Sequence, residues 1–275
     1  MTLASRVLGL VREVLMAALF GAGAAMDAFF MAFRIPNLFR RLFAEGAFSQ
    51  AFVPVFSEAK TRRTPEEAKR LVDVVAGTLG GVLALITALG ILAAPLIMYL
   101  FAPGFADNTE KFHQAVILLR WMFPYLLFIS LTAFAGGILN AYGKFAMPAF
   151  NPVWLNVCLI AAAWWWAPSV EALAIGVFAA GIVQLAFLLP SLARLGLLPS
   201  PRWGWGDPQV RRIIVLMLPI MFGSSVSQLS LLLDSVIASL LPGDGNVAWL
   251  YYADRLMEFP LGVFSIAIAT VILPS

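Results

Sequence analysis

The chain reads as an all-α polytopic membrane protein, and three observations predict it. Of its 275 residues 61% are hydrophobic and 12% charged, with a mean hydropathy of +0.91, well outside the composition of a soluble domain. Five stretches longer than 20 residues contain no Asp, Glu, Lys or Arg, at 74–106, 121–143, 145–170, 172–193 and 213–233. A spanning helix needs about 20 mostly apolar residues, so each stretch holds one. The loops between them also divide sharply by charge. Three further spans, at about 3–21, 26–57 and 247–274, are interrupted by charged residues, which brings the expected total to eight.

The first span carries Arg6, Arg12 and Glu13; Arg6 and Glu13 are seven apart and share a face, with Arg12 turned toward its flank. The two arginines break what would be the apolar core of a signal peptide, and no small-residue cleavage site follows. The second span, Met26 to Phe56, is 31 residues long, about 46 Å at 1.5 Å per residue, against a hydrocarbon core of about 30 Å. Pro36 frees the carbonyl of Ala32 and Gly46 is a second weak point, so a bend is expected. Asn37, Arg40, Arg41 and Glu45 follow at offsets of three and four and make one polar stripe.

Spans three to six are apolar. The single cysteine, Cys158, lies in the fifth as a packed thiol with no intrachain partner. Trp164, Trp165 and Trp166 close that span as an interfacial aromatic belt. The seventh, below Pro219, carries Ser224, Ser227, Gln228, Ser230 and Asp234 on or near one face. In the eighth, Tyr251, Arg255 and Glu258 follow i, i+4, i+7, and Pro260 loosens the next turn.

With a cytoplasmic N-terminus, the inside loops (58–73, around 144, and 194–212) hold Lys60, Arg62, Arg63, Lys69, Arg70, Lys144, Arg194, Arg202, Arg211 and Arg212. The outside loops hold Lys111 alone, beside Asp107, Glu110, Glu171 and Asp244. Ten basic groups against one is a positive-inside pattern. Trp203 and Trp205 then fall near the inner surface.

A charged side chain at mid-bilayer costs about 2.5–3.5 kcal/mol on insertion scales, so charges within spans must face a cavity, a partner or a ligand. The spans hold seven basic groups (Arg6, Arg12, Arg34, Arg40, Arg41, Arg120, Arg255) and six acids (Glu13, Asp27, Glu45, Asp234, Asp254, Glu258). Structural ion pairs are one reading and an anionic ligand the other; a surplus of one does not decide between them. Buried pairs are often no more stable than apolar replacements, and a guanidinium fork suits phosphate oxygens, which favours a phosphate-bearing ligand. Asp234 on its serine-lined face suits a proton or Na⁺ coupling site; the alternative is a neutral buried acid bonded to Ser230 or to backbone. Finally, FMAFRI around Arg34 matches YYADRL around Arg255, a six-helix period of the kind two parallel lobes produce.

The segments SRVLGLVRE, GAGAAMDAFFMAFRIPNLFRRLFAEGAFSQAFVPVFSE, APGF, FPYLLFISL and YYADRLMEFPLGV together resemble the MurJ (MviN) family of lipid II flippases, within the multidrug/oligosaccharidyl-lipid/polysaccharide exporter superfamily. The resemblance runs from Ser5 to Ser275. It implies a multi-pass protein of the bacterial cytoplasmic (inner) membrane that moves the undecaprenyl-diphosphate-linked peptidoglycan precursor, lipid II, from inner to outer leaflet for cell wall synthesis and cell shape. It implies cavity-lining arginines at Arg6, Arg12, Arg40 and Arg255, an acid at Asp27, and polar support at Asn37 and Glu258. Members have fourteen spans in two lobes. On that pattern residues 1–196 are the first six-helix lobe, 197–212 a cytoplasmic inter-lobe loop and 213–275 the opening two helices of the second lobe, so the chain looks like an N-terminal fragment.

The implied mechanism is alternating access with no bond made or broken, hence no enzyme activity and no cofactor. The expected partners are lipid II, membrane lipids and Na⁺ or H⁺, with no nucleic acid. No Walker-type glycine loop points to ATP, and His113 has no metal-ligand company at useful spacing. Membrane potential, at about 2.3 kcal/mol per charge per 100 mV, would drive the cycle. Three rivals differ in their residues. A cation-coupled drug exporter would use carboxylates. A flippase for another polyprenyl-linked oligosaccharide would share the arginines and lack the motifs. An enzyme on polyprenyl diphosphates would need paired acidic clusters for Mg²⁺, to which DRLMEF offers one acid on each side of an arginine.

Overall fold

The computed structural model describes residues 3–41, 47–62 and 64–257, and every regular element among them is a helix. Helices α1 (Leu3–Phe20) and α2 (Ala24–Phe39) turn on Gly21, whose φ of 68° is open to glycine without strain. Past Phe39 the backbone loosens into π-type bonding at residues 40–41 and again at 47–48, and α3 (Ser49–Arg62) follows. The described parts of the second span are thus α2 and α3, with π-type turns at their facing ends. Gly46 and Glu45 lie outside the described residues.

α4 (Pro65–Leu92) starts at a complete capping box: Thr64 accepts from the Glu67 amide and Glu67 accepts from the Thr64 amide, with Pro65 pre-setting the first turn. Ala93 ends it, and α5 (Ala94–Phe101) leads through a 3₁₀ turn at Pro103–Phe105 into α6 (Thr109–Met122), capped by Asn108. Pro124 separates α6 from α7 (Tyr125–Ala141). A short α8 (Ala146–Phe150) precedes α9 (Pro152–Trp166) and the Ser169-capped α10 (Val170–Arg194). Asp207 caps α11 (Pro208–Leu240), whose halves Pro208–Ser225 and Gln228–Leu240 are inclined by 45°. The last described helix, α12, covers residues 246–257.

Among the described residues four segments are long and apolar enough to cross a membrane, Pro65–Leu92, Thr109–Ala141, Ala146–Trp166 and Val170–Arg194, and a fifth if the bent α11 is one span. The eight expected spans are thus reached only in part, and the shortfall lies in the charged segments. α1 has 18 residues and holds Arg6, Arg12 and Glu13; α2 stops at 16 residues; the eighth span lies mostly beyond residue 257. The fourth span begins at Thr109 rather than 121, which draws Lys111 out of its expected loop and into a helix.

α10 packs along α7 and α9, α2 along α6, and α1 along α9. Small residues allow the approach: a Cβ on Gly181 would meet Tyr125 and Phe128 of α7 at 3.0 Å, and one on Gly176 would meet Ala162 of α9 at 3.0 Å. One apolar core centres on Phe29, Phe30, Met98, Leu119, Tyr125 and Tyr251, the other on Phe52, Phe56, Leu71, Phe134 and Leu188. Meanwhile Leu85, Leu89, Leu92 and Leu96, and Leu218, Phe222, Leu233 and Ile237 of α11, are exposed. Such rows suit hydrocarbon, not water.

The segment 195–207 is not a free loop. Ser200 N and Arg202 N donate to Asp73 of α4, at 2.7 Å to its carboxylate and 3.0 Å to its carbonyl, and Gly204 N donates to Thr78 Oγ1 at 3.1 Å. Trp203 lies against Gly81 and stacks on Trp205, as interfacial indoles do.

Candidate functional site

A cavity of about 1070 Å³ opens between α1, the end of α2, α7, α9, α10 and α12. Its lining contains Arg6, Arg12, Arg40, Arg41 and Arg255, and Glu13 is the one carboxylate among the described lining residues. Among the described lining residues that makes five arginines to one glutamate. The sequence count, seven bases to six acids across the spans, gave no such imbalance.

Three of the described acids, Asp27, Asp254 and Asp234, are absent from its lining. Asp27 is 1% exposed and absent from the cavity wall. Its carboxylate accepts from Lys111 Nζ at 2.7 Å, from Gly245 N at 2.7 Å and from Ala248 N at 2.8 Å, closing the N-terminus of α12. Asp254 pairs with Arg34, whose other nitrogen donates to the Leu231 carbonyl, both at 3.1 Å. Asp234 is exposed on α11, and Glu258, like Glu45, lies outside the described residues.

Within the cavity the arginines are held by their neighbours. Arg12 pairs with Glu13 and donates to Asn156 Oδ1 at 3.0 Å, while Asn156 Nδ2 donates to the Ser5 carbonyl at 3.0 Å, tying α1 to α9. Tyr251 reaches Glu13 at 3.4 Å. Arg12 is therefore buried in the wall rather than turned to the flank of α1. Asn37 Oδ1 accepts both Nε and Nη2 of Arg40, at 3.0 and 2.8 Å, which sets the plane of that guanidinium. The Arg255 guanidinium lies 5.2 Å from the Tyr251 ring centroid, and that ring stacks on Phe30 at 3.8 Å. A smaller cavity of about 210 Å³ between α2, α11 and α12 shares Asn37, Arg41 and Arg255 with the large one.

Of the residues expected at the site, Arg6, Arg12, Asn37, Arg40 and Arg255 converge on the cavity, Asp27 and Asp234 do not, and Glu258 is outside the description. The wall also contains polar groups not anticipated: Thr132 and Asn140 of α7, Asn151 and Asn156 at α9, and Gln184 of α10. The sequence does carry a signal for them, since each amide interrupts a charge-free span. Several polar atoms here are covered and unpartnered, among them Arg6 Nε, Asn151 Oδ1 and Gln184 Oε1. Each such group costs about 1–3 kcal/mol, an expense that a ligand can relieve. The seventh-span serines are different: Ser224 and Ser225 donate to carbonyls one turn back, at Met221 and Phe222.

Comparison with known proteins matches this picture. The family model of the lipid II flippase MurJ fits residues 16–275. A protein of Vibrio cholerae described as a probable lipid II flippase MurJ is 52% identical over 286 aligned positions, which cover 100% of this chain and 54% of that protein. Its counterpart in Haemophilus influenzae is 51% identical, with 100% and 56% covered. A solved structure described as lipid II flippase MurJ in an inward closed conformation superposes with a TM-score of 0.84 at 29% identity, covering 98% of this chain and 56% of that one. The chain thus spans about half the length of the curated relatives it matches. With sequence and fold in agreement over nearly all its residues, the chain belongs to the lipid II flippase MurJ family.

Proposed function

We propose that the chain supplies the head-group cavity of a flippase that carries lipid II, a polyprenyl-diphosphate-linked glycopeptide, from the inner to the outer leaflet of the bacterial cytoplasmic membrane for cell wall synthesis. The observation that carries this is the sorting of charge. Arginines line the cavity while Asp27 and Asp254 bind Lys111 and Arg34 elsewhere, which supports an anionic ligand there. Planar forks match diphosphate oxygens, and the prenyl chain would remain in lipid beside the apolar outer faces. The reaction is transport by alternating access of two lobes, with residues 1–196 in the first, 213–275 in the second, and eight spans in all. Neither nucleophile nor cofactor is needed. A test is binding of undecaprenyl diphosphate to the purified chain in nanodiscs. Saturable binding that weakens with salt is expected; equal binding of undecaprenol, which has no phosphate, would overturn the reading.

The charge of the loops supports a cytoplasmic N-terminus, with residues 60–70 inside and residues 105–111 outside. Thr64 and Asn108 both cap helices, so the reporters belong at exposed neighbours. In a Cys158→Ala background, Asp107→Cys should react with an impermeant thiol reagent in intact cells and Arg70→Cys should not; the reverse pattern would invert the topology.

Asp234 is assigned to ion coupling by Na⁺ or H⁺. Its exposure on α11, away from the arginines, supports a role separate from the head group. In a chimera carrying this chain in place of the matching half of the Vibrio cholerae relative, Asp234→Asn should keep lipid binding and lose any Na⁺ or pH dependence of transport. Retained ion dependence would leave Asp234 without that role.

A further inference from the structure

The cavity has a second wall whose chemistry is the opposite of the arginines'. Across α7, the start of α9 and α10 it presents Thr132, Asn151 and Gln184, with Gly136 and Gly137 leaving room beside them, and no charged group among these residues. Thr132 and Asn151 are each 5% exposed and Gln184 is 2% exposed. Thr132 Oγ1, Asn151 Oδ1 and Gln184 Oε1 all lack a hydrogen-bond partner.

Gln184 decides what this wall wants. An amide's oxygen and nitrogen are told apart by their partners, and here Nε2 donates to the Asn151 backbone carbonyl at 3.3 Å. The free end is therefore the oxygen, an acceptor without a donor. A phosphate brings only acceptor oxygens and cannot answer it. A hydroxyl or an amide N–H can. Within this chain the unanswered acceptors and the arginine donors share one cavity, so a single ligand that satisfies both must carry an anion at one end and hydrogen-bond donors at the other.

We infer that this uncharged wall is the subsite for the hydroxyl- and amide-bearing part of the head group, a saccharide with N–H donors, and that Gln184 determines specificity for it. The inference rests on the diphosphate reading of the arginine wall and adds to it. The acceptors are covered at the wall, so ligand donors meet them through side-chain rotation as the head group seats. Discrimination of this kind is strong because a site built for hydrogen bonds is left with unpaired buried groups when they are missing.

The test compares two probes on the purified chain in nanodiscs: undecaprenyl diphosphate, and the same lipid bearing an N-acetylated disaccharide. The unsubstituted chain should bind the sugar-bearing lipid about tenfold tighter, roughly one hydrogen bond's worth. Gln184→Met, which keeps the length and removes the acceptor, should erase that preference and leave undecaprenyl diphosphate binding unchanged, which also shows that the variant is folded. No preference in the unsubstituted chain, or equal loss of both lipids in Gln184→Met, overturns the subsite. Failure of the unsubstituted chain to bind either lipid would instead bring down the diphosphate reading, and this inference with it.

Discussion

Alanine at Arg40 or Arg255 is expected to abolish growth of a flippase-depleted strain complemented by the Vibrio cholerae chimera, with the protein still present in the membrane at near-normal level. Each guanidinium is oriented in the cavity wall by a neighbour, Arg40 by the Asn37 side-chain carbonyl oxygen and Arg255 by the Tyr251 ring. Removing either takes away a charge-assisted contact worth about 1.5–3 kcal/mol, some tenfold to hundredfold in affinity. Lysine should rescue poorly, because a point charge cannot reproduce the fork that Asn37 holds flat. Arg12 is a mixed case. Its loss strands Glu13, which is buried and paired with it, so Arg12→Ala should also lower protein level, and Arg12→Ala combined with Glu13→Ala should restore level without restoring activity. Quantitative blotting beside complementation separates the two. Normal growth with Arg40→Ala and Arg255→Ala would return these side chains to a structural role.

Lys111→Met should cost stability without touching the head-group site. Lys111 Nζ bridges Asp27 at 2.7 Å and Asp244 at 3.0 Å and sits 4.4 Å over the Phe105 ring. It is 7% exposed and Asp27 is 1% exposed. Breaking a buried pair by removing one partner costs about 3–5 kcal/mol, because the other charge is left uncompensated. For a chain of this size that is a fall in melting temperature on the order of 10 °C, measurable in detergent. Asp27→Asn together with Lys111→Met should recover part of it, since the orphan charge is gone while one acceptor oxygen remains for either the Gly245 or the Ala248 amide. Undecaprenyl diphosphate binding should survive in the folded fraction of both. A selective loss of binding at unchanged melting temperature would restore Asp27 to the head-group site.

The two acidic residues Asp27 and Asp254 show where reading the chain alone runs out. On a helix wheel Asp27 belongs to the same charged segment as Arg34 and Arg40, and nothing local separates a cavity acid from a capping acid. Its partners lie at Lys111 and at Gly245 and Ala248, which no periodicity links to it. Lys111 in turn reads as a loop cation when charge-free stretches set the limits of spans, whereas Asn108 starts the helix earlier and the lysine is buried. Asn156 is the reverse case: a lone amide in an apolar span already asks for a partner, but only packing of α9 on α1 names it as Arg12 and the Ser5 carbonyl.

By itself, the sequence determined the helical membrane class, the arginine-bearing segments and the family, because these depend on composition, on runs of apolar residues and on contiguous motifs. The long-range part was decided by tertiary structure alone. Which charges pair with each other and which amide faces the cavity depend on neighbours far apart in the chain, such as Arg34 with Asp254 and Gln184 with Asn151. The physical reason is that a buried charge or amide is satisfied by whatever group the fold brings within about 3 Å. A helix's own pattern fixes the face on which a group lies, and the partner on the facing helix fixes what the group does.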